Sequence, residues 1–430
     1  MGQVLDFLAE LFRRGADHVA AGVLGLGVGA LVMFWLLWLR PRANRRFRAM
    51  ERQRDAAQAD LKKTEATFAD LTSDLESQKS ESNDLGRQVM EREQVIDGLR
   101  GQVRNLQAEI ERITRMDGEI WQQTPEGAVP AFVPLKSGRP PIIAVVNLKG
   151  GVGKTTIAAN LGAAAFRRDR RVLFVDLDFQ ASLTSLCLPA DRIADVRVRE
   201  RFVQKLLATP NPGGQLALGL TERIDDKPAW VLSTDESLAG TEMQTLFRWM
   251  AGGTDDDVRY RLRRALLSDE IADNFDLVLL DCPPRLSTAC INALAACDYV
   301  LIPVILDQLS AEAAPRLLRW LRKLKYEDRV CPDFSVLGMV ADKVQDARGP
   351  STRQRDVWDS LAVQSTDAWQ EPVHRFATSI PEWTEFAQAA SQNTFAALDG
   401  RAGARFLDLF NELQDRMPAY EGRRPAVVSS

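Results

Sequence analysis

The chain has 430 residues, room for two or three structural units, and its 45% hydrophobic and 27% charged content excludes global disorder. A formal net charge of −4 gives no bulk attraction for nucleic acid. Five cysteines without a C-x-x-C pair and only two histidines, His18 and His374, exclude a disulfide frame, a zinc site and a histidine-rich metal centre. The cysteines read instead as small buried thiols in a reducing compartment.

After an N-terminal segment, 1–18, the run from Val19 to Leu39 carries no charge. As a helix it would span roughly 31 Å at ~1.5 Å per residue, enough to cross a hydrocarbon core. Trp35 and Trp38 near its end, and Arg40, Arg42, Arg45, Arg46 and Arg48 beyond it, predict a single-pass transmembrane helix over 19–39 with the rest of the chain cytoplasmic, in a bacterial inner membrane.

Residues 45–118 are polar, free of proline and carry a heptad repeat. With Leu61 at position a, twelve of the sixteen a and d positions from Leu61 to Ile113 are apolar, which predicts a coiled coil and self-association through it. Proline and glycine between Pro125 and Pro141 mark a linker over 119–140. From 141 to 418 the apolar runs Ile142 to Val146, Val172 to Val175, Leu277 to Leu280, Tyr299 to Val304 and Val336 to Val340 alternate with helical stretches. Buried parallel strands give such unbroken runs, so this part is predicted to be an α/β domain with a doubly wound, mostly parallel sheet. Residues 419–430 read as a flexible tail.

The first of these strands runs into NLKGGVGKTT, Asn147 to Thr156, and then into a helical stretch. A glycine-rich turn between strand and helix brings backbone N–H groups and the positive end of the helix onto phosphate. Gly150, Gly151, Val152 and Gly153 form the loop, Lys154 would reach the outer phosphates, and the Thr155 hydroxyl, beside Thr156, would ligate magnesium. Leu148 stands where the usual P-loop has its first glycine, and a second lysine, Lys149, opens the loop.

The combination K-G-G-x-G-K-[ST] resembles the deviant Walker A signature of the ParA/MinD family. DLDFQ, Asp176 to Gln180, is similar to that family's D-x-D-P-Q motif, with Phe179 in place of proline. LVLLD, ending in Asp281, is similar to its Walker B strand, and TSIPEWTEFAQAA resembles a later family segment. The resemblance covers roughly 141–417. It implies a P-loop ATPase using ATP and Mg2+, slow and stimulated by a partner, and a homodimer closed around nucleotide. In that frame Lys149 would cross to the partner protomer's phosphates and Asp178 would activate water. Thr155, Asp176 and Asp281 would attend the metal. Asp342, where the family often has asparagine, bears on the choice between adenine and guanine.

The function expected is an ATP-dependent dimerisation switch that positions or recruits partner proteins, anchored at a membrane. The alternatives are a nucleotide-binding component of a membrane or defence complex with little turnover, and a bacterial tyrosine-kinase-like protein. The kinase reading is weakened by only four tyrosines. Arg316, Arg319, Arg322, Lys323 and Lys325 could face DNA, but the acidic flanks Glu312, Glu327 and Asp328 favour a solvated face.

Overall fold

The computed structural model describes residues 18–34, 90, 92–98, 119–122, 139–307, 312–346, 348–398 and 400–417. The chain divides into two compact units, Met1–Met116 and Asp117–Ser430.

In the first unit a helix runs over His18–Phe34, 17 residues. No helix among the described residues is long and apolar enough to cross a membrane, which overturns the expected 19–39 span and the inner-membrane location drawn from it. Trp35 to Leu39 lie outside the described residues, as does most of the 45–118 repeat. Met90 and the stretch 92–98 of that repeat are helical and exposed.

The second unit is built on a seven-stranded sheet in the order β3-β4-β2-β5-β1-β6-β7. Its strands are β1 (Ile142–Val145), β2 (Val172–Asp176), β3 (Glu222–Arg223), β4 (Ala229–Leu232), β5 (Leu277–Asp281), β6 (Tyr299–Ile305) and β7 (Ser335–Asp342). All neighbours pair parallel except β3 with β4. The five apolar runs of the sequence are β1, β2, β5, β6 and β7. Every residue of β1, β2 and β5 is buried, as helices on both faces of a parallel sheet require.

One of those helices, Lys154–Phe166, follows β1 and is buried along almost its whole length. Its small residues allow that. A Cβ on Gly162 would come within 2.1 Å of the Phe174 ring, so glycine here lets helix and sheet close together. Phe174 in turn stacks on Phe395, with centroids 5.7 Å apart. All five cysteines are buried and none is in a disulfide, in line with the reading of small buried thiols.

Two contacts tie down the chain ahead of the sheet. Arg139 Nη1 donates to Asp298 Oδ2 over 2.7 Å, and the same oxygen accepts the Ile142 N–H at 2.8 Å. Upstream, Glu119–Gln122 forms a 3-10 turn whose Trp121 is 1% exposed and stacks on Trp249. The Trp121 indole N–H donates to the Leu286 carbonyl at 2.8 Å, and its own carbonyl accepts from buried Arg259 at 2.6 Å.

Candidate nucleotide site

The carboxyl ends of β1, β2 and β5 lie side by side, where open α/β sheets hold ligands. The turn after β1 is the glycine-rich loop, and it opens the Lys154–Phe166 helix from Gly153 at φ +82°. That left-handed backbone suits glycine. A cavity of about 450 Å³ is lined by Gly150, Gly151, Gly153, Lys154, Thr155 and Thr156 of this turn and by Asp178 and Gln180 of the loop after β2. Lys154 Nζ donates to the Lys149 carbonyl at 3.2 Å, which bends the lysine back over its own loop. The Lys149 N–H donates to Asn147 Oδ1 at 3.0 Å, and Lys149 is not among the residues lining the cavity.

The three acidic residues separate by environment. Asp176 and Asp281 face each other in register across β2 and β5. Asp176 Oδ2 accepts from both the N–H and the hydroxyl of Thr184 at 2.8 Å, and Oδ1 accepts the Asp178 N–H at 3.2 Å. Burial pushes the Asp176 pKa up to about 7. Its carboxylate is thus engaged in holding the loop. Asp281 Oδ2 accepts the Thr155 hydroxyl at 2.6 Å, while its buried Oδ1 has no hydrogen-bond partner. Burial, then the neighbouring Asp176, raises the Asp281 pKa well above the usual carboxylate range.

Asp178 alone of the three lines the cavity. Burial raises its pKa, while the Gln180 N–H, Lys154 and Arg285 pull it down.

A magnesium ion fits this arrangement. The Thr155 hydroxyl, with its hydrogen committed to Asp281, presents its lone pairs, and the orphaned Asp281 Oδ1 is a buried acceptor beside it. No group of three or more His, Cys, Asp or Glu among the described residues could hold a metal alone. Magnesium commonly takes only one or two protein ligands, with phosphate and water completing its shell.

The sequence did not single out every residue of the site. Lys343, Phe386, Ala389 and Thr394 also line the cavity. The signal was the segment TSIPEWTEFAQAA, which contains Phe386 and Ala389. Asp342 is not among the lining residues. Its carboxylate lies against Gly153, where an added Cβ would be 1.9 Å from Oδ2. It is 3% exposed, and burial pushes its pKa up to about 7 from an ordinary 3.8.

A pH effect on stability follows. With the folded pKa raised, the unfolded chain loses its proton first, so this group's contribution falls as pH rises from about 4 to about 7 and is constant above. Asp342→Asn keeps the shape without the charge. It is expected to stabilise the fold by up to about 4 kcal/mol at pH 8 and by little near pH 4. Denaturant midpoints of both proteins across that range check this, and a gain independent of pH would refute it.

Comparison with known proteins agrees with this geometry. A family described as "AAA domain" matches residues 141–333. The sporulation initiation inhibitor protein Soj of Bacillus subtilis is 37% identical over 185 residues, 42% of this chain and 64% of Soj. The chromosome partitioning protein ParA of Myxococcus xanthus is 31% identical over 204 residues, 46% of this chain and 63% of ParA. The chain belongs to the ParA/MinD family of P-loop ATPases. The match spans a little under two thirds of the length of these curated relatives. The Mycobacterium smegmatis cobyrinic acid a,c-diamide synthase, solved with an ATP analogue and magnesium, is 28% identical with a TM-score of 0.50, covering 67% of this ParA/MinD-family chain and 99% of that one.

Proposed function

We propose that this ParA/MinD-family protein binds ATP with magnesium in the glycine-rich loop, closes as a homodimer around it, and hydrolyses it slowly as a switch that positions or recruits a partner protein. One observation carries the reading: the Thr155 hydroxyl is fixed on Asp281 at 2.6 Å, beside an Asp281 oxygen with no partner. A metal-bound nucleotide explains that arrangement, and the bound ATP analogue and magnesium of the M. smegmatis relative support it. Partition or positioning as the output rests on likeness to the chromosome partitioning protein ParA.

Magnesium supplies charge neutralisation on the phosphates. The chain's own residues do the rest. Loop N–H groups and Lys154 cradle the phosphates, and Thr155 and Asp281 hold the metal side. Asp178 orients water from the cavity wall. Lys149 would reach the partner protomer, where a cation supplied in trans stabilises developing charge. The 45–118 repeat gives the homodimer a second point of association.

The two lysines separate this reading from a plain nucleotide binder. Lys154→Ala is expected to weaken ATP binding by about 10–100-fold, the worth of a charge-assisted contact. Lys149→Ala is expected to bind ATP as the wild type does, but to lose ATP-dependent dimerisation and about 10³-fold in turnover. Equilibrium binding, phosphate release and chemical cross-linking check both. Wild-type turnover and dimerisation in Lys149→Ala would reduce Lys149 to an ordinary loop residue.

A further inference from the structure

The D-x-D-P-Q motif of the family has a proline where this chain has Phe179, and a proline would fix φ of the loop that carries Asp178. Phe179 leaves that torsion free. The loop's own hydrogen bonds are few. Ala181 N–H donates to the Asp178 carbonyl at 2.8 Å, and Gln180 N–H donates to Asp178 Oδ1 at 3.1 Å. The Asp178 N–H is also held by Asp176 Oδ1 at 3.2 Å, and the Phe179 ring that follows has a holder of its own.

The Arg285 guanidinium lies over the Phe179 ring, 5.0 Å from its centroid, in cation–π range. Arg285 is itself held from behind. Its Nη2 donates to Glu242 Oε2 at 2.5 Å, and Glu242, 5% exposed, also accepts the Ala289 N–H at 2.8 Å through Oε1. Arg285 follows Pro284, which lines the cavity, and precedes Leu286, whose carbonyl accepts the Trp121 indole N–H. The backbone bearing Arg285 is therefore fixed on one side and its head on the other. Such an arginine can serve as a clamp.

We propose that Arg285 is a positioning residue for hydrolysis, holding the Asp178 loop through the face of Phe179 and replacing the rigidity that a proline would give. It acts through Phe179, and the consequence for turnover rests on the ATPase reading above. The geometry of the clamp does not.

The test uses the full chain and reads the loop first without nucleotide. Amide hydrogen exchange of the peptide 178–184 reports the Gln180 and Ala181 N–H groups. Arg285→Ala and Phe179→Ala are each expected to speed exchange there by about 2–5-fold, the worth of a half-exposed cation over a ring. Phe179→Ala leaves the Arg285–Glu242 pair in place, so it keeps the test decisive if Arg285→Ala folds poorly. The double variant is expected to be no faster than either single one, because both remove the same contact. Arg285→Lys, which keeps a cation over the ring, is expected to stay within about twofold of wild type.

With Mg-ATP, kcat is expected to fall by a factor similar to the change in exchange, with KM unchanged. Loop exchange unaltered in Phe179→Ala, or additive effects in the double variant, would overturn the clamp. Absence of hydrolysis in the wild-type chain would sink the ATPase reading instead, and the nucleotide-free exchange data would still decide the role of Arg285.

Discussion

Asp178→Ala is expected to lower ATP turnover by about 10²–10⁴-fold, the usual worth of a positioned general base, while ATP binding persists. The structure separates Asp178 from its two acidic neighbours on this point. Asp176 has both oxygens engaged by Thr184 and Asp178 backbone or side-chain donors, and Asp281 holds Thr155. Only Asp178 faces the cavity. Its loss also removes a negative charge near the bound phosphates, so affinity for ATP should hold or rise. Single-turnover phosphate release and equilibrium ATP binding measure the two effects separately. Turnover within threefold of wild type would place water activation on another group.

Gly153→Ala is expected to abolish nucleotide binding and to destabilise the unit by about 2–5 kcal/mol, the sum of left-handed backbone strain and overpacking. Two independent obstacles meet there. Its φ is +82°, and an alanine Cβ would sit 1.9 Å from Asp342 Oδ2 and 2.7 Å from its Cγ. Gly151 offers a control on the same loop. Its φ is +74° but nothing lies within 4 Å of its added Cβ, so Gly151→Ala should cost only about 1–2 kcal/mol of backbone strain. Thermal unfolding and ATP binding of the two variants check the contrast. Equal losses would show that the contact with Asp342 is immaterial.

The loop and the central strands were legible because both are written locally. Unbroken apolar runs mark strands covered on both faces, and K-G-G-x-G-K-T places glycines where backbone must meet phosphate. The Ala229–Leu232 strand was not legible: four residues, AWVL, among helices that carry no motif. The apolar stretch from Val19 misled for a different reason. Freedom from charge over 19–39 predicts a spanning helix, whereas no helix among the described residues is long and apolar enough to cross a membrane.

The acidic pair was only half legible. The spacing of Asp176 and Asp178 puts both near the site, but the contacts that turn Asp176 toward Thr184 come from the tertiary fold. Arg285 was missed altogether, since its partners Phe179 and Glu242 are distant in sequence and brought to it by two separate segments.

Trp121 bears on how separable the parts of this chain are. Its ring fills a socket made by Trp249 and the Leu286 carbonyl, and its backbone satisfies a buried arginine. Removing so large a buried side chain costs about 3–5 kcal/mol, a large share of a domain's net stability. A fragment cut just ahead of β1 would keep every phosphate-binding residue and still be hollow. The modular boundary therefore lies upstream of the nucleotide fold, and exchange of this head between proteins would have to carry the tryptophan with its socket.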